Sequence, residues 1–85
     1  MYLYVTASPV HPKTHTIQES VEIVIPLHRI ILIGGVDEFM YKQGFRSAIH
    51  VKDLDDSLAY KKYVTAYEVE ELVRAVRTGA HPTLK

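Results

Sequence analysis

The stretch from Val64 to Gly79, VTAYEVEELVRAVRTG, constrains this chain more than any other. Thr65 is a favoured N-cap residue and Glu68 lies three positions on, the spacing of a capping box, with Val64 and Val69 at the flanking hydrophobic positions. Val69, Leu72, Val73 and Val76 recur at i, i+3, i+4 and i+7 and so line one face of a helix. Glu68, Glu70 and Glu71 gather at the positive end, and Arg74 and Arg77 near the negative end. Glu70 and Arg74 form a favourable i,i+4 pair, and Gly79 supplies the left-handed residue after the last turn. The pattern predicts one helix over about residues 66–78. A lone amphipathic helix has to lay its apolar stripe on another element.

The remaining chain offers strands for that purpose. Tyr2, Tyr4 and Thr6 alternate with Leu3, Val5 and Ala7, the period of a strand. SPVHPKTHT, with two prolines, reads as a loop or a long hairpin connection. Val21, Ile23 and Ile25 share one strand face, Pro26 interrupts it, and Leu27–Ile33 continues in β-branched residues to Gly34-Gly35. A helix starting at Pro26 is the weaker alternative there. VDEFMYKQG reads as a turn region. Phe45, Ser47, Ile49 and Val51 alternate with Arg46, Ala48, His50 and Lys52. LDDS supplies turn residues, and LAYKKYV returns as a strand suited to an antiparallel hairpin with Phe45–Lys52. The tail AHPTLK is expected to fray. The chain therefore reads as one α+β domain over residues 1–85. It has a mostly antiparallel four- or five-stranded sheet, open to curling into a half-barrel, and one C-terminal helix.

From Ile25 to Val76, the order of IPLHRIILI, SAIHV and YVTAYEVEELVRAV resembles the small flagellar proteins of the FlbD/SwrD type. In those, a short strand and an I-x-x-I strand precede a hairpin and a terminal helix, and Val64, Glu68, Glu70, Glu71 and Leu72 match the phrase that opens that helix. The same outline is similar to the N-terminal half of LytTR DNA-binding domains. The first 20 residues and Asp37–Gly44 depart from both. The resemblance implies the architecture and carries over no functional residue.

Ten basic and ten acidic residues cancel, which argues against non-specific polyanion or anionic-membrane binding as the main activity. The absence of cysteine excludes disulfides and thiolate chemistry and fits a reducing cytosol. The N-terminus lacks the pattern of a signal peptide. The apolar block Ile30–Ile33 is far shorter than the ~20 residues that span a bilayer. A cytoplasmic protein without membrane contact is expected. The six tyrosines suit cores and interfaces alike.

His11 and His15 stand at a zinc-like i,i+4 spacing. Pro12 and the neighbouring threonines argue against a helix, and Glu19 or a distant histidine would have to complete a ligand set. They are read as loop histidines, with no metal or cofactor expected and these two as the weak candidates. Arg46, His50, Lys52, Lys61 and Lys62 can form a basic sheet face for phosphate or an acidic partner. Asp53, Asp55 and Asp56 weaken its field, and a solvated edge guarded by lysines is the simpler reading. His28-Arg29 lacks an orienting partner for catalysis, so Arg29 is expected to face outward. Asp37-Glu38 and Asp55-Asp56 read as turn chemistry. Gly34-Gly35 is not a phosphate loop. No coherent catalytic constellation emerges, so no enzyme is expected.

One helix covers one sheet face, yet Ile31, Ile33, Phe39, Tyr2, Tyr4, Tyr60 and Tyr63 cannot all share it. Burying the remainder calls for a second copy. The expectation is a small non-enzymatic binding or regulatory protein, a homodimer or higher oligomer that also meets another protein. Ile31, Ile33, Tyr2, Tyr4, Tyr60 and Tyr63 are its candidate interface. The alternatives are a nucleic-acid or nucleotide-binding module on the basic face and a small-ligand site between subunits.

Overall fold

A computed structural model describes residues 2–53 and 60–79. The chain runs through strands β1 (Tyr2–Val10) and β2 (Val21–Pro26), a 3-10 turn (Leu27–Arg29), and β3 (Ile30–Gly34). It continues through helix α1 (Glu38–Lys42), β4 (Ser47–Lys52), β5 (Tyr60–Thr65) and helix α2 (Val69–Thr78). The five strands form one sheet in the order β2-β1-β5-β4-β3, and every pairing is antiparallel. This is the expected α+β architecture, with an open sheet whose edges are β2 and β3. The turn expected at residues 54–57, the start of the following strand before Tyr60, and the tail from residue 80 lie outside the described residues.

The short link between the two edge strands forces the sheet to curl. In a flat sheet, edges four strand spacings apart are about 19 Å from one another. Only the three residues of the 3-10 turn join β2 to β3. Even a fully extended link from Pro26 to Ile30 reaches about 14 Å, and a 3-10 turn shortens it further. β1 absorbs part of the curvature. Tyr2–Ala7 pair with β2, whereas Ser8–Val10 pair with β5. Pro26 thus ends a strand instead of interrupting one. Lacking an N–H, it closes the edge strand and hands the chain to the turn.

Curling gives the sheet an inner and an outer face. Leu3, Val5, Ala7, Ile25, Ile49 and Val51 line the inner face and pack with Tyr67, Leu72 and Ala75. α2 touches β1 and β3, which are not neighbours in the sheet, so it lies across the concavity. The outer face holds a second cluster of Val10, Met40, Ala48 and Val64, flanked by Ile17, Val36 and Phe45. α1 was expected as a turn. Asp37 caps it by accepting the Met40 N–H at 2.8 Å, and Met40 seats it on the sheet. β4 therefore runs between two cores, with Ser47, Ala48 and Ile49 buried in succession.

α2 starts later than its sequence predicts. Glu68 is the N-cap residue and makes no side-chain cap bond. Thr65 is the last residue of β5, in register with Ser47. Its hydroxyl is hydrogen-bonded to that of Ser47 and accepts the Tyr67 N–H at 3.2 Å. Val64 belongs to the outer cluster, so it cannot staple the inner helix. Leu72, Ala75 and Val76 carry the packing, which rotates the buried stripe away from Val73. The end of the helix is as expected: Gly79 is left-handed at φ 71° and its N–H donates to the Ala75 carbonyl at 2.7 Å. No helix among the described residues is long and apolar enough to cross a membrane.

Candidate functional site

β4 and β5 pair with His50 opposite Lys62 and Lys52 opposite Tyr60. Strand alternation puts these four side chains on one face, the outer one. Lys61 pairs with Val51 and has the opposite parity. β1 joins this surface at its far end, where Val10 is opposite Lys62.

The histidine loop folds back over the same place. A β-bridge joins Val10 to Ile17. The His11 N–H donates to the Thr16 carbonyl and the His15 N–H to the His11 carbonyl, both at 2.9 Å. Gln18 N–H reaches the Pro9 carbonyl at 2.8 Å. His11 Nδ1 accepts the N–H groups of Lys13 and Thr14 at 3.2 Å each, so the imidazole caps the Pro12–Thr14 turn. His15 closes the turn at φ 58°, a left-handed conformation that costs an ordinary residue roughly 1–2 kcal/mol. The loop is thus a hydrogen-bonded hairpin tip.

This geometry makes a cleft of about 400 Å³ lined by Val10, Pro12, His15, His50, Tyr60, Lys61 and Lys62. An adjoining hollow of about 420 Å³ shares Val10, Pro12, Tyr60, Lys61 and Lys62 and adds His11 and Asp53. Burial, then the charge of Lys62, hold the His50 imidazole below its ordinary pKa, which favours the neutral ring. The His50 and Tyr60 rings are tilted with centroids 5.8 Å apart. A third cleft of about 310 Å³ opens beside the inner face, where Arg29, Asp53, Lys61 and Tyr63 meet Ile23 and Val51. Arg29 lines that cleft; His28 is exposed.

The expected basic face is therefore partly assembled. His50, Lys61 and Lys62 line the cleft and Lys52 shares the face of His50 and Lys62, but Arg46 does not join them. It precedes β4, where its Nη1 donates to the carbonyls of Tyr41 and Phe45 at 2.9 Å. Its guanidinium lies 3.8 Å from the Tyr41 ring centroid, and its Nε is 3.9 Å from the Glu68 carboxylate. Arg46 ties α1 to the start of α2. Among the described residues no three His, Cys, Asp or Glu side chains come together as metal ligands. His11 is engaged in its turn, and His15 meets His50 across the cleft instead.

The interface candidates divide as well. Tyr2 and Tyr4 are exposed on the outer face, opposite Pro26 and Val24, and Tyr60 is exposed beside the cleft. Ile31 sits in a bulge of β3 and is exposed. Ile33 and Tyr63 pair with the buried Ile49 from either side and are partly buried against the inner core. Leu32, opposite His50, and Val24 are exposed where the sequence reading overlooked them. Val24 was readable from its alternation with Ile23 and Ile25, whereas the bulge in β3 hid Leu32. No family model, curated protein or solved structure matches this chain.

Proposed function

We propose that this is a small, non-enzymatic binding or regulatory protein that acts as a homo-oligomer, with two copies meeting along β3. One observation carries the reading. β3 is a sheet edge with the sequence Ile30-Ile31-Leu32-Ile33-Gly34, and Ile31 and Leu32 are 57% and 56% exposed. Edge strands are ordinarily blunted by charge, proline, a bulge or a covering element. The bulge at Ile31 kinks β3 without charging it, whereas the opposite edge, β2, carries Glu22 and ends in Pro26. A twofold axis would set two β3 strands antiparallel, pairing backbone groups and covering both apolar side chains. Tyr2, Tyr4 and Val24 form a separate exposed surface suited to a different protein. The cysteine-free chain fits the cytoplasm as the place of action. Sedimentation equilibrium on the full chain tests the reading. A species heavier than the 9.7 kDa chain at micromolar concentration is expected, and a monomer at every concentration would refute it.

A further inference from the structure

We propose that the cleft between the histidine turn and the outer face of β4–β5 binds a small phosphate ester bearing a flat ring, of mononucleotide size. This site is independent of self-association along β3. Its volume of about 400 Å³ falls within the range of small-molecule sites. Lys62 lines it from the face it shares with His50, Lys61 lines it from the neighbouring position, and among the described residues no carboxylate lines it; Asp53 lies on the adjoining hollow. A lysine suits a phosphate as a point-charge partner.

The rest of the wall suits a ring. Pro12, His15, His50 and Tyr60 contribute rings to its lining, and aromatic rings can stack on a base regardless of its identity. A neutral His50 avoids charge repulsion with Lys62 and keeps both a donor and an acceptor for the ligand. The turn that carries Pro12 and His15 holds a non-glycine residue in the left-handed region. Such conformations persist where the surroundings over-determine them, and they cluster at ligand sites. Charge balance sets the scale of the ligand. Ten cations against ten anions argue against non-specific binding of a long polyanion, whereas the local charge of Lys62 is of the scale of one phosphate.

The test is an NMR titration of the full chain, with adenosine 5′-monophosphate, adenosine, inorganic phosphate and a thymidine decanucleotide as separate probes. The monophosphate is expected to move the His15, His50 and Tyr60 ring signals together and saturably, with adenosine and phosphate each binding about tenfold or more weaker. Lys62→Gln and Tyr60→Leu should each weaken it several-fold while leaving the dispersion of the spectrum intact. The decanucleotide moving the same rings at lower concentration would overturn the mononucleotide scale and assign the face to a nucleic-acid strand instead. The proposal is overturned if the monophosphate gives no saturable shift up to about 10 mM, the weak limit of specific small-ligand affinity. It is equally overturned if the shifts spread over all lysines or survive unchanged in both variants. Ile31→Lys should leave the titration unaltered, which separates this site from the oligomer.

Discussion

The Thr65 hydroxyl has two competing uses in this chain, as a helix cap and as a partner for a buried serine. The fold takes the second. Ser47 and Thr65 are both buried, and each hydroxyl is satisfied by the other. Thr65→Val should leave the Ser47 hydroxyl unpaired and cost about 1–3 kcal/mol in urea unfolding. Adding Ser47→Ala should recover part of that loss, since removing both partners strands neither. Thr65→Asp discriminates between the two uses, because aspartate is a good N-cap but a poor guest in a buried strand. Strong destabilisation by Thr65→Asp is expected; tolerance would restore the capping role. His50 makes a second residue-scale prediction. Its pKa is lowered first by burial and then by Lys62, so the unfolded chain binds more protons there between the folded value and the ordinary ~6.5. Its contribution to stability is complete above that ordinary value and is lost as pH falls through the folded one. An NMR titration of the imidazole should show a midpoint below the ordinary value. Lys62→Gln should raise that midpoint only part of the way, because burial is unchanged.

At the scale of elements, α2 and α1 differ in how they are held and in how plainly they were written. α2 was legible because several local signals agree over ten residues, and its left-handed Gly79 was legible because few other residues take that conformation. Its start was not, since the choice made by Thr65 depends on Ser47, 18 positions away. α1 spans five residues, too short for periodicity to show, although Asp37 followed by Glu38 is a readable cap. Short helices have little stability of their own, so α1 depends on its cap and on Met40. Asp37→Ala should cost about 0.5–2 kcal/mol and speed amide exchange in residues 38–42, with little change in α2. Leu72→Ala should cost about 2–5 kcal/mol in global unfolding, since the side chain is fully buried between α2 and the inner sheet face. A small, local loss at Leu72 would mean that α2 does not close the concavity. The candidate site follows the same division. Strand alternation made His50 and Lys62 readable as neighbours, but the return of His15 across Val10 is a tertiary event. Arg46 was misplaced because alternation was extended back past the point where β4 begins.

At the scale of the whole molecule, the apolar run Ile30–Ile33 calls for burial on both sides, and the curled sheet supplies only one. Ile30 and Ile33 pack toward α2 and the inner core. Ile31 and Leu32 are left exposed by the bulge and by strand alternation. Part of the second-face burial assigned to a partner is supplied within the chain, by α1 and by Ile17 in the hairpin arm. What is left exposed is the β3 edge, the surface of Tyr2, Tyr4 and Val24, and Phe39 and Tyr41 of α1. This separates two neighbouring substitutions. Ile33→Lys places a charge against Ile49 in the core, where an unpaired ion is costly, and should abolish folding as judged by loss of cooperative thermal unfolding. Ile31→Lys places the charge on an exposed edge, a device natural sheets use to prevent pairing. It should retain the fold and its unfolding midpoint per protomer at dilution, while shifting the sedimenting species toward 9.7 kDa. Leu32→Lys should act in the same direction as Ile31→Lys, and Tyr4→Lys, on the outer face of β1, should leave the mass unchanged. If Tyr4→Lys dissociates the assembly and Ile31→Lys does not, the copies meet on the tyrosine face, and β3 is an edge protected by its bulge alone.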